Sequence, residues 1–153
     1  MKRLFTPFFC VLTVGFITAC LPESPCGSPP PTPSVRFYVT SQTDIPLVRK
    51  QDSRYAPDSV QLLRDGRAIN LSYRFDEALQ SYLFDTGSYP DTPSGTDMRL
   101  LLYLDRNDTD TLDLTYRIAK TECGTIVIPN TFFFNQTRVF PASGTYVLKL
   151  MKK

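Results

Sequence analysis

Oxygen-bearing side chains crowd one stretch of the chain, Asp105-Arg106-Asn107-Asp108-Thr109-Asp110-Thr111-Leu112-Asp113. Calcium gathers several oxygens from carboxylates and carbonyls. Asp105, Asn107 and Thr109 echo the first positions of a calcium loop, so Asp105, Asn107, Asp108 and Asp110 are the metal candidates. The pattern then breaks, because no glycine follows and no glutamate stands where a bidentate ligand is needed. Asn and Asp also serve hairpin turns, where they tolerate unusual dihedrals and bond their own backbone. The turn is the favoured reading. Phe132-Phe133-Phe134 is the second feature. Successive strand residues face opposite sides, so three aromatics in a row put apolar surface on both. A central strand with a covered outer face explains this, and an exposed patch for a partner or glycan is the sharper alternative.

Other chemistry is scarce. The chain has no histidine. That removes His-based triads, Cys-His dyads and His-ligated metals. No Gly-rich phosphate loop occurs. The carboxylates are scattered, and no pair stands out for glycoside cleavage. The expectation is a non-enzymatic protein with no catalytic residues and no cofactor.

The N-terminus carries an address. Met1-Lys2-Arg3 is a short basic start, and an apolar stretch runs from Leu4 to Ile17. This is the layout of a secretory signal. It is too short for a comfortable span, which needs about 20 apolar residues. The stretch ends in Ile17-Thr18-Ala19-Cys20. That quartet resembles the bacterial lipobox, an aliphatic residue and two small ones before a cysteine. The resemblance implies cleavage before Cys20, a thioether-linked diacylglycerol on Cys20, and a further fatty acyl chain such as palmitate on the new amino group. Two or more chains hold a membrane stably where one does not. An uncleaved anchor helix and ordinary secretion are the competing readings. Leu21 stands where an aspartate would retain such a protein at the inner membrane, which points to the outer membrane. Three triplets, starting at Asn70, Asn107 and Asn135, fit the N-glycosylation acceptor but carry no meaning in a bacterial lipoprotein.

Processing changes the arithmetic. Loss of Lys2 and Arg3 takes the 17 basic residues to 15, against 15 acidic ones. A neutral domain offers no electrostatic case for nucleic acid. Lys149, Lys152 and Lys153 read as a small solvated basic end. Of four cysteines, Cys10 leaves with the signal and Cys20 takes lipid. Cys26 and Cys123 are left, and in an exported chain they are expected to form a disulfide. Two buried free thiols are the alternative. Between Leu21 and Ser34 six prolines crowd together, which favours an extended, semi-rigid stalk. The organisation is then a signal peptide over 1–19, a lipidated proline-rich linker over 20–34 and one domain over 35–153.

The elements of that domain read as strands. Val35 to Thr40 is β-branched and aromatic. Ser59 to Arg64 and Ala68 to Tyr73 flank Asp65-Gly66, a strong hairpin signal. Leu79 to Asp85 follows, after Asp76 to Gln80, which could form a turn of helix at most. Met98 to Asp105 and Leu112 to Ile118 flank the polar run Arg106 to Thr111 as a second hairpin. Leu112, Leu114, Tyr116 and Ile118 share one face there, a clean period of two. Gly124 to Ile128, Thr131 to Phe134 and Thr145 to Leu150 complete the set. Short strands with turn-rich loops suggest an all-β, antiparallel sandwich, immunoglobulin-like or transthyretin-like, with an open barrel as the runner-up. With Tyr55 to Val60, Asp110 to Leu114 and the Glu122-Cys123-Gly124 turn, the chain resembles small β-sandwich surface lipoproteins of bacteria. That resemblance implies a fold and an address, a cell-envelope module lipid-anchored to a membrane, and no mechanism. The lipobox, the stalk and the scarcity of catalytic residues add the expectation of a binding or scaffolding role with a protein or glycan partner. A carbohydrate-binding or hydrolase-accessory sandwich is one alternative. An assembly subunit is another, with Val35 to Thr40 or Thr145 to Leu150 as the edge strand that would accept a partner strand.

Overall fold

The computed structural model describes residues 34–87, 97–142 and 147–153. The signal segment and nearly all of the linker, with Cys20 and Cys26, lie outside the described residues. Among the described residues ten strands form: β1 (Arg36–Thr40), β2 (Gln61–Arg64), β3 (Arg67–Ile69), β4 (Ser72–Asp76), β5 (Ser81–Asp85), β6 (Asp97–Asp105), β7 (Asp108–Thr121), β8 (Gly124–Phe134), β9 (Thr137–Val139) and β10 (Val147–Met151). They make a four-stranded sheet, β10-β1-β5-β4, and a six-stranded sheet, β3-β2-β6-β7-β8-β9. The fold is an all-β sandwich, as the sequence suggested.

Alternation explains why the sheets close on one another. Val35, Phe37 and Val39 of the β1 segment, Phe84 of β5, and Leu148 and Leu150 of β10 point inward. Facing them are Leu62 of β2, Met98, Leu100, Leu102 and Leu104 of β6, Leu112, Leu114 and Tyr116 of β7, and Phe132 and Phe134 of β8. Burying each such side chain is worth about 1.5–3 kcal/mol. Phe37 and Phe84 stack at 5.3 Å between ring centroids. The connection from β1 to β2 adds Leu47, Val48 and Tyr55 to the same core.

Turn chemistry fixes the registers. Asp65 and Gly66 both take positive φ, 48° and 76°, the mirror-image turn that suits a two-residue hairpin. Asn135 and Gln136 do the same between β8 and β9, at 46° and 65°. The β6–β7 connection is shorter than the polar run suggested. Only Arg106 and Asn107 lie outside the strands, and β7 begins at Asp108.

Several expected elements differ. Ala68 to Tyr73 is not one strand, since the chain leaves the six-stranded sheet after Ile69 and enters the four-stranded sheet at Ser72. The two segments around Pro129 are one strand. A register shift opposite Thr115 and Tyr116 accommodates the proline, which has no N–H to give a regular ladder. Val35 to Thr40 is not an edge, because β1 lies between β10 and β5. Its pairing with β10 is parallel, the exception in a largely antiparallel sandwich. β10 is the outer strand of that sheet among the described residues, with a bridge from Pro141 to Leu148 beside it. Ile118 leaves the core although it shares the inward period of β7, and is 47 % exposed. Its register partner on β8, Val127, stays buried in the core.

Candidate functional site

Strand periodicity carries β7 and β10 past the end of the apolar core. Asp108 and Asp110 precede Leu112 on the inward face of β7, and Lys152 follows Leu148 and Leu150 on the inward side of β10. Two residues of strand separate like-facing side chains, so three charged groups meet where the leucines stop. Lys152 Nζ donates to Asp108 Oδ1, and to Asp110 Oδ2 at 2.6 Å. The Lys152 and Asp110 side chains are only 12 % and 9 % exposed. Lys152 is thus no solvated tail residue, which corrects the reading of the basic end. Its backbone N–H also donates to the Thr40 carbonyl at 2.8 Å, which continues the β10–β1 pairing.

Two further residues complete the cluster. Tyr55, delivered by the long β1–β2 connection, donates its hydroxyl to Asp108 Oδ2. Asn135, in the β8–β9 turn, donates Nδ2 to Asp110 Oδ1 at 2.7 Å and accepts the Thr111 N–H at 2.9 Å. Burial acts to raise the Asp108 carboxyl pKa. The hydrogen bonds from Lys152 and Tyr55, with the positive fields of Lys152 and Arg54, outweigh it and hold the group below the usual carboxylate range. Tyr55 moves the other way. Burial, the hydrogen bond to Asp108 and repulsion by its charge all push the phenol above its ordinary value. Acid–base work calls for a group near its pKa at the working pH. Here Asp108 is held ionised and Tyr55 protonated, so the arrangement suits a latch between the ends of β10, β7 and the Tyr55 loop.

The metal candidates do not converge. Asp105 Oδ1 accepts the Asn107 N–H at 2.8 Å, an Asx turn within the hairpin. Asp108 and Asp110 are turned inward to Lys152. Among the described residues no group of three or more His, Cys, Asp or Glu is placed to hold a metal ion.

The Phe132-Phe133-Phe134 run divides by face. Phe132 and Phe134 enter the core, and Phe133 is half-buried on the outer side. It stands in a cross-strand row between Asp113 of β7 and Arg138 of β9. Asp113 in turn takes both Arg99 Nε and Nη2, at 2.7 and 3.2 Å. Another aromatic group lies on β4 and β5. Tyr73 meets Tyr82 edge-on at 5.7 Å, and Phe75 meets Tyr82 at 5.3 Å. Tyr73 is 45 % exposed. Cys123 is half-buried in the turn between β7 and β8.

Sequence reading passed over a pair of clefts at the other end of the sandwich. One, of about 690 Å3, is walled by Arg64 and Arg67 of the β2–β3 hairpin, Asn70 of the crossing chain, Ser72 at the start of β4, Asp85 at the end of β5 and Thr86 after it. The other, of about 340 Å3, is walled by Arg36, Tyr73, Arg74 and Leu83, and again by Ser72 and Asp85. The register Arg36↔Asp85↔Ser72 across β1, β5 and β4 puts the shared wall at the first residues of β1. These residues come from five separate strands, and no local motif marks them.

Comparison of the chain with protein-family models, with characterised proteins and with solved structures finds no match in any of the three.

Proposed function

We propose that this chain is a cell-envelope lipoprotein, held to the outer membrane by lipid on Cys20, whose sandwich is a non-enzymatic binding or scaffolding module. The observation that carries the reading is Ile17-Thr18-Ala19-Cys20, set behind a basic start and an apolar stretch and ahead of a proline-rich stalk. The stalk leads straight into β1, so the lipid and the folded domain share one short connection. A disulfide between Cys26 and Cys123 belongs to the same reading, because export favours it. The non-enzymatic part is supported by the lack of histidine and by the internal pairing of Lys152, Asp108 and Asp110, which leaves that cluster no open acid or base.

Cys20→Ser tests the anchor. The wild type should incorporate labelled fatty acid and sediment with membranes, and the variant should do neither. A wild type that takes no label, with a variant that stays membrane-bound, would replace the lipid by an uncleaved anchor helix. A second reading, carbohydrate binding, is favoured only by the half-exposed ring of Tyr73. Tyr82 meets it edge-on and Phe84 at a tilt, so these rings form no flat platform. Tyr73→Ala should abolish retention on a polysaccharide matrix if that reading holds.

A further inference from the structure

The paired clefts lie where the tether enters the domain. The Val35 N–H donates to Thr86 Oγ1 at 3.2 Å, and the Thr86 N–H donates back to the Val35 carbonyl at 3.1 Å. Thr86 lines the larger cleft. The chain arriving from Cys20 is therefore bonded directly to the cleft wall. Cys20 stands 15 residues before Val35. At about 3.1 Å per residue, even a fully extended stalk keeps this end of the sandwich within about 50 Å of the lipid.

The charge of the clefts is one-sided. Arg36, Arg64, Arg67 and Arg74 face Asp65 and Asp85. Asp65 is spent on Arg64, at 3.6 Å. Asp85 Oδ1 accepts the Gly87 N–H at 2.8 Å. Arg67 and Arg74 are exposed and take part in no ion pair among the described residues. Guanidinium groups grip phosphate oxygens in a two-pronged fashion. The exposed Tyr73 at the rim has the amphipathic ring that settles at headgroup depth.

The geometry points to a headgroup site: the arginine-lined clefts take the phosphate of an anionic phospholipid in the membrane that holds Cys20. The proposal rests on the anchored reading above and adds the partner of the folded domain. A single basic cleft binds free lipid weakly. A tethered one meets headgroups at high effective concentration, and each arginine near an anionic leaflet is drawn to it. The domain would then lie down against its own membrane, with the Lys152 end pointing away.

The test uses the mature chain with Cys20→Ser, so that no acyl chain contributes. Sedimentation with phosphatidylglycerol–phosphatidylcholine vesicles should carry the protein down at low salt and release it at high salt. Phosphatidylcholine alone should carry down little. The double variant Arg67→Glu/Arg74→Glu should lower partition into anionic vesicles at least about fivefold. Arg138→Glu, on β9 at the opposite edge of the six-stranded sheet, should change it less than about twofold. Unchanged melting temperatures would show that both variants are folded. Equal partition into neutral and anionic vesicles would overturn the proposal. So would a silent Arg67/Arg74 reversal, an Arg138 effect of the same size, or retention on an acidic polysaccharide without vesicle binding. None of these outcomes bears on fatty acid labelling of the wild type, so the anchor and the headgroup site fail separately.

Discussion

Lys152 shows how one residue can change meaning between sequence and structure. As the second-last residue of the chain it read as solvated. Its alternation with Leu148 and Leu150 was visible, but the partners come from a strand about 40 positions away. Removing one partner of a buried ion pair costs about 3–5 kcal/mol, because the other charge is left unpaired. Lys152→Met strands two carboxylates and should sit in that range by denaturant unfolding. Adding Asp108→Asn and Asp110→Asn to it should restore most of the loss, which separates stranded charge from lost packing. Tyr55→Phe removes one hydrogen bond to a charged acceptor and should cost about 1.5–3 kcal/mol. The pH dependence has a definite sign. The Asp108 carboxyl has a lowered pKa in the folded state, so its contribution is present above the unfolded carboxylate value, about 3.9, and is lost as pH falls through the lower folded value. The Tyr55 phenol has a raised pKa, so its contribution is full below the unfolded value of about 10 and wanes above it. Thermal melts should therefore show an alkaline loss above about pH 10 that Tyr55→Phe no longer shows.

Period-two alternation made most strands legible, and it placed Leu112, Leu114 and Tyr116 correctly. It could not say how far the core follows the pattern, and Ile118 shares the alternation yet meets solvent. Nor could it show that the chain changes sheets between Ile69 and Ser72, or that β1 pairs parallel with β10. Those choices depend on which distant faces meet. β9 escaped notice because three residues, Thr137–Val139, carry too little pattern. The turn residues were more informative, since Asp65-Gly66 formed the hairpin that it announced. Within β8 the two faces give opposite expectations. Phe132→Ala should cost about 3–5 kcal/mol, as for a buried aromatic. Phe133→Ser, on the outer side between Asp113 and Arg138, should cost about 1 kcal/mol or less. Urea unfolding of the two variants compares them directly. A larger loss for Phe133 would mean that the outer face of the six-stranded sheet is covered.

The clefts were illegible in the sequence because their walls come from β1, the β2–β3 hairpin, β4 and the end of β5. Only the assembled molecule puts those arginines beside Val35, where the tether arrives. The proposed Cys26–Cys123 bridge acts at the same scale. The end of the β7–β8 hairpin that bears Cys123 is largely exposed from Arg117 to Gly124. Tying it to the stalk would close a loop of nearly 100 residues, which in the chain-entropy model is worth about 4.7 kcal/mol. It would also shorten the free tether to Leu21 through Pro25. Cys123→Ser should then lower the melting temperature of the mature domain by on the order of 10 °C under non-reducing conditions. Cys26→Ser should give the same loss, and the double variant should add nothing further, because both single changes remove one bond. Reductant should bring the wild type down to the level of the variants and leave them unmoved. Losses that add in the double variant would mean two independent thiols, each packed on its own. The stalk would then swing freely from Leu21 to Ser34, and the headgroup site would have to act without a staple to hold it near the membrane.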